Sequence, residues 1–227
     1  MDKRGYSTPA LETFEIVYGY EFFTKAEIRE IEMGNENINI ILVGVGGQGI
    51  ILASEVLAEV ALNSGYDVRK SEVHGMAQRG GSVSSHVRFG EDIKSPLIEQ
   101  GYADFMLAFE KVEGIRACDM LKEKATIIMN DVEIVPTTVS LGMGEYPNDV
   151  TSRLSGMGFV VKLVDAFHLA ERAGTFKAAN VVLLGTLASY LTIDKELWLD
   201  VIKGRVPKKF LEVNLEAFDL GYEAVSA

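Results

Sequence analysis

Gly44-Val45-Gly46-Gly47-Gln48-Gly49 decides the fold, because of what flanks it: the apolar run Ile38-Asn39-Ile40-Ile41-Leu42-Val43 before, and the segment Ile50–Asn63 after. A short apolar run that stops at glycine reads as a buried parallel strand. The segment that follows carries apolar residues at Ile51, Val56, Leu57 and Val60, Glu55 and Glu59 are turned elsewhere, and Gly65 closes a helix. The six residues between fit G-x-G-x-x-G in a strand–turn–helix setting. Glycines permit positive φ and remove Cβ atoms, so phosphates can approach the backbone amides. The helix start adds unpaired N–H groups and the positive end of its dipole. Gly44, Gly46, Gly47, Gln48 and Gly49 are therefore candidate anion-binding residues. The competing reading is a tight turn that binds nothing.

Working outward, Val68–Val73 is a second strand and His74 to Gly81 a polar, glycine-rich loop. Dinucleotide sites ask for an acid about 20 residues beyond the glycines, at the end of strand two. Asp67 precedes that strand and Glu72 lies near its end, so the requirement is met only loosely. The stretch Glu72-Val73-His74-Gly75-Met76-Ala77-Gln78-Arg79-Gly80-Gly81 is the densest cluster of functional groups in the chain. It lies at the carboxyl end of strand two, the side on which open α/β sheets bind ligands. Arg79 can clamp a carboxylate or phosphate with its planar fork. His74 can donate a hydrogen bond or shuttle a proton, and Gln78 offers a donor and an acceptor. The alternative is a solvated loop.

Further along, Val83, Ser85, Val87 and Phe89 alternate with Ser84, His86 and Arg88, a strand with one polar face. Phe105–Phe109, Thr126–Met129 and Val160–Asp165 read as buried strands, Val112–Leu121 as a helix, and Ile134–Leu141 as a strand or hairpin arm. Ala178–Leu191 is an apolar helix whose Gly185, Ala188 and Ser189 allow close packing. Asp194 caps a helix to Ile202, and Pro207 opens a last one to about Tyr222. Alternating strands and helices imply a three-layer, Rossmann-like α/β domain with a largely parallel sheet, plus C-terminal helices. That domain spans residues 38–227. Residues 1–37, with a capping-box spacing at Thr24–Glu27, are either an N-terminal arm or sequence upstream of a start at Met33.

The chain has 227 residues, 22 basic against 33 acidic, for a formal charge of −11. It has no long-range attraction for a phosphate backbone, so nucleic acid is not an expected partner. The longest apolar stretch, Val181 to Ile193, falls short of the ~20 apolar residues of a spanning helix, and no apolar leader opens the sequence. A soluble, cytoplasmic protein is expected. One cysteine, Cys118, excludes an intramolecular disulfide and any four-thiolate site within this chain. Cys118 reads as a small core residue, His86 as a packed or solvated histidine rather than a ligand, and His168 as structural. The three histidines lack close metal-ligand spacing, so no metal site is expected. No G-x-S-x-G elbow is present.

The glycine turn together with Glu72 to Gly81 resembles the beta subunit of indolepyruvate:ferredoxin oxidoreductase, the gamma-type domain of the 2-oxoacid:ferredoxin oxidoreductase superfamily. Ser95-Pro96-Leu97-Ile98 and the stretch from Val206 to Gly221 are also similar to that subunit. The resemblance implies an oxidoreductase complex that decarboxylates an aryl-2-oxoacid oxidatively, with coenzyme A and ferredoxin, to an acyl-CoA and CO2. It implies thiamine diphosphate, magnesium and [4Fe-4S] clusters in a larger alpha subunit, because one cysteine cannot ligate a cubane and no Gly-Asp-Gly segment is present here. On this reading the chain is a non-redox accessory subunit, inactive alone. The glycine turn would hold the phosphates of coenzyme A or contact the diphosphate region, and His74, Gln78 and Arg79 would face the partner's active site. Two other readings stay open: a free-standing NAD(P)-binding Rossmann oxidoreductase, and a nucleotide or acyl-CoA binding module.

Overall fold

Successive residues of β1 (Ile38–Val45) enter two different cores: Ile38, Ile40 and Leu42 pack on one face of the sheet, Ile41 and Val43 on the other. A strand buried on both faces must have helices above and below it, and that sandwich is the architecture of this computed structural model. It describes residues 37–74, 81–135, 137–142 and 145–224. Thr24, Glu27 and Met33 lie outside the described residues, as does most of the loop after His74.

The six-stranded sheet has the order β2-β3-β1-β4-β5-β6, with β2 at Asp67–His74, β3 at Ser82–Gly90, β4 at Ala103–Ala108, β5 at Leu121–Asn130 and β6 at Val160–Val164. The pairs β1–β4, β4–β5 and β5–β6 are parallel, whereas β3 runs antiparallel to both β1 and β2. The sheet is thus largely parallel, with β3 alone reversed. β2 is not the neighbour of β1, because its hairpin partner β3 lies between them. The composition of the two strands explains which goes inside. Val83, Val87 and Phe89 of β3 are buried in the core, while β2 carries Arg69, Lys70 and Glu72 to the sheet edge, where charge is tolerated.

In chain order the helices are α1 (Ile50–Asn63), α2 (Lys111–Arg116), α3 (Thr137–Ser140), α4 (Val150–Gly156), α5 (Ala166–Ala173), α6 (Ala179–Ala188), α7 (Lys195–Arg205) and α8 (Leu211–Glu223). Helices α1, α5, α6, α7 and α8 cover the face of the larger core, and α2 and α4 cover the other. Every residue of α6 is buried, so it is a core helix with no solvent side. It meets α8 backbone to backbone. A Cβ on Gly185 would stand 2.1 Å from Phe218 O, one on Gly221 would stand 1.9 Å from Val182 O, and Thr186 Oγ1 donates to Gly221 O at 2.9 Å. Among the described residues no helix is long and apolar enough to cross a membrane.

Three expectations change. Ile134–Leu141 is not a strand: both sides of β5 are taken by β4 and β6, Ile134 N–H goes to Glu110 instead, and Pro136 has no N–H to offer a ladder. The helix expected over 112–121 stops at Arg116. A 3-10 turn, Cys118–Met120, then leads straight into β5. Helix α4 had no counterpart in the sequence reading.

Candidate functional site

The glycine turn sits where β1 hands over to α1, at the carboxyl edge of the sheet, and its residues do different jobs. Gln48 is a brace: its Oε1 accepts from Val45 N–H at 2.7 Å, and its Nε2 donates to Phe109 O at 2.9 Å. Gly44 is required by packing, since a Cβ there would lie 2.7 Å from both Gln48 Oε1 and Phe109 Cβ. Gly49 caps α1 with φ +80°, and its missing Cβ makes room for Asn180 Nδ2. Gly46 N–H donates to Gly81 O at 2.9 Å. Gly47, with φ +108°, is exposed and has nothing within 4 Å of its Cβ position.

The open part of the turn is therefore the backbone at Gly47 and the first turn of α1. That helix start has no side-chain cap and no acidic residue. Its first N–H groups have no partner within the helix, which is the arrangement that receives an anion.

The sheet brings both ends of the polar loop to the same edge. His74 is the last residue of β2, opposite Val83. Ser82 pairs with Val45, and the Gly46–Gly81 bond joins the loop's root to the turn. The His74 side chain, Gln78 and Arg79 lie outside the described residues.

The sequence reading missed two buried carboxylates just beyond the carboxyl end of β4. Glu110, wholly buried, caps α2 by accepting from Glu113 N–H at 2.9 Å. Its second oxygen accepts from Ile134 N–H at 3.1 Å and from the Tyr146 hydroxyl at 2.5 Å. Burial, and then the bond to Glu110, push the Tyr146 phenol above its ordinary pKa, so it remains a donor. Glu113 accepts from Ser82 Oγ at 2.5 Å and from Arg116 at 2.7 Å. The root of the polar loop is thereby held against α2. Asn130, at the end of β5, donates to Phe109 O at 3.4 Å and accepts from Ala166 N–H at 3.1 Å. The one legible signal was Glu110 followed three places on by Glu113, a helix-start spacing after a strand.

The histidine of the polar strand face is packed: His86 Nδ1 accepts from Ile98 N–H at 3.2 Å. Cys118 is half-buried in its 3-10 turn, and burial pushes its thiol up. Among the described residues no three His, Cys, Asp or Glu side chains are grouped to hold a metal ion.

The comparisons with known proteins follow the same outline. The profile of the family described as pyruvate ferredoxin/flavodoxin oxidoreductase matches residues 39–224. The indolepyruvate oxidoreductase subunit IorB of Thermococcus kodakarensis is 42% identical over 191 residues, covering 82% of this chain and 95% of that one. Its namesake in Methanothermobacter thermautotrophicus is 37% identical, over 84% and 98%. Among solved structures, the gamma subunit of a keto/oxoacid ferredoxin oxidoreductase from Geobacter sulfurreducens superposes with TM-score 0.61 at 28% identity, covering 84% of this chain and 99% of that chain. The pyruvate oxidoreductase subunit PORC of Thermotoga maritima shares the fold, with TM-score 0.64 at 22% identity over 82% and 96%. A match that begins one residue into β1 and ends with α8 takes in the whole sheet, the glycine turn and the buried carboxylates, and by it this chain belongs to the pyruvate ferredoxin/flavodoxin oxidoreductase family, as one of its gamma-type subunits.

Proposed function

We propose that this chain is the accessory subunit of an indolepyruvate, or related arylpyruvate, ferredoxin oxidoreductase. The observation that carries the reading is the 42% identity along 95% of an archaeal indolepyruvate oxidoreductase subunit. The reaction is the oxidative decarboxylation of an aryl-2-oxoacid with coenzyme A to an acyl-CoA and CO2, with ferredoxin taking the electrons. Thiamine diphosphate with magnesium, and [4Fe-4S] clusters, would supply that chemistry from a larger alpha subunit.

This chain's residues do not fit a cluster. A cubane takes four thiolates, and the sequence offers Cys118 alone. Its part is to bind and to position, through residues 38–227. The amides at Gly47 and the first turn of α1 suit the phosphates of coenzyme A, which need N–H donors and a positive dipole end. His74, Gln78 and Arg79 belong to the loop that would meet the partner's active site. The braces beneath, Gln48 to Phe109 and Ser82 to Glu113, fix where that turn and that loop emerge.

A free-standing NAD(P) enzyme fits less well. In that site the acid at the end of strand two reaches the ribose from beside β1. Here Glu72 is two strand spacings away, roughly 9–10 Å, because β3 intervenes. The test is anaerobic co-expression with the larger subunit. Dye reduction that depends on coenzyme A and indolepyruvate, and that requires this chain, is expected. A cluster-bearing partner equally active without it would remove the proposal.

A further inference from the structure

The two edges of the sheet are built differently. β6 is five residues long, whereas β2 has eight, and all eight pair with β3 in an unbroken register from Asp67↔Gly90 to His74↔Val83. Among the described residues β2 has no strand on its other side. Proteins blunt such edges with charged side chains, proline, bulges or short length, because a free ladder of N–H and C=O groups recruits another strand. β2 has no proline and no register shift; its one such device is charge, at Asp67, Arg69, Lys70 and Glu72, and charge of both signs repels or selects a partner according to what stands opposite.

We propose that this edge pairs, antiparallel and about a two-fold axis, with β2 of a second copy of the chain. The axis of such a pair stands normal to the sheet and leaves each face on its own side. Cross-strand partners share a face, so residue i can meet residue j of the copy only where i + j is even, and one residue at the centre meets itself. Centring on Arg69, Lys70 or Glu72 sets a like charge against itself. Centring on Ser71 does not. It places Lys70 opposite Glu72 of the copy, and Glu72 opposite the copy's Lys70, on the face where Val68 packs over the core. On the other face Arg69 meets Val73, an exposed apolar side chain otherwise without cover among the described residues. Lys70 and Glu72 already pair along their own strand at 2.6 Å, so the joined edge becomes a ring of four alternating charges. The seven residues Val68 to His74 can all take part.

Sedimentation velocity of the full-length chain, over a range of concentrations, should show a monomer–dimer equilibrium. K70E sets acid against acid at two symmetric positions and should weaken the dimer roughly 10-fold. K70E/E72K restores opposite charges in the reversed sense and should recover the affinity to within roughly 3-fold. In a Cys118→Ser background, S71C should form an intermolecular disulfide on mild oxidation, since facing Cα atoms lie about 4.5–5.5 Å apart. V73C should not, because its copy is four residues away, roughly 13 Å along the strand, beyond disulfide reach. A chain monomeric at every concentration, a double variant as weak as K70E, or V73C cross-linking as readily as S71C would overturn the proposal.

Discussion

His86 serves the fold as an acceptor, and its proton state follows from that. Nδ1 takes the N–H of Ile98, and burial, with Arg88 two places along the same face, holds its pKa below the usual 6.5. Its cross-strand neighbours, Ser71 on β2 and Ile41 on β1, carry no charge that would offset a proton. Above pH 6.5 the imidazole is neutral folded and unfolded, and stability is complete. Below it the unfolded chain takes up the proton first, so stability falls with pH down to the lower folded value. Denaturant midpoints measured across the acid side of that range should fall in the native chain and fall less in H86Q. H86A strands a buried N–H at Ile98 and should cost roughly 1–3 kcal/mol at neutral pH. The alternation of β3 left His86 on a polar face, packed or solvated rather than a ligand, and the bond from Ile98 N–H decides for packed. Its partner was not legible, because Ile98 lies across an irregular segment. The same limit hid the role of Gln48: its brace, Phe109, is 61 residues away, and no local pattern announces it.

Elements were legible wherever periodicity was long. β1, α1, α6 and α7 lie close to where the apolar spacing put them, and the stop at Gly65 follows from its φ of +90°. Neighbours were harder. Alternation makes 83–89 a strand but does not say what it pairs with. A clue was present in the length of the link, since the short run from Gly75 to Gly81 is too brief for the crossover that parallel strands need. Ile134–Leu141 failed because its backbone is spoken for: the Ile134 N–H goes to the Glu110 carboxylate and Pro136 has none to give a ladder. The start of α1 separates fold from function. Ile51 is half-exposed in an acid-free first turn, so I51D should stabilise the helix by about 0.3–1 kcal/mol through the dipole, read as a rise in thermal midpoint. The same carboxylate repels a phosphate at Gly47 and should weaken coenzyme A binding in calorimetry. A variant more stable yet unchanged in affinity would place the coenzyme elsewhere.

Across the molecule, all the described strands but β3 point one way, and that common direction delivers the glycine turn, the two ends of the polar loop and the buried carboxylates to one edge. The sequence reading could place the turn and the loop there because both follow strands. It could not foresee Glu110 and Glu113 beneath them, since carboxylates look solvated until a sheet closes over them. The single cysteine rules out a four-thiolate cluster within these 227 residues, which fits the proposed accessory role. A pair joined at β2 would point its two working edges in opposite directions, leaving each free for its own larger subunit.

The bond from Gly46 N–H to Gly81 O stitches the turn to the loop through their backbones. A coupling carried across that seam would be mutual, by thermodynamic reciprocity. A coenzyme tail seated at the turn should favour docking of a partner beside it, and docking should tighten the hold on the tail. Calorimetry should therefore find coenzyme A bound more firmly by the assembled complex than by this chain alone, and equal affinities would mean the stitch transmits nothing.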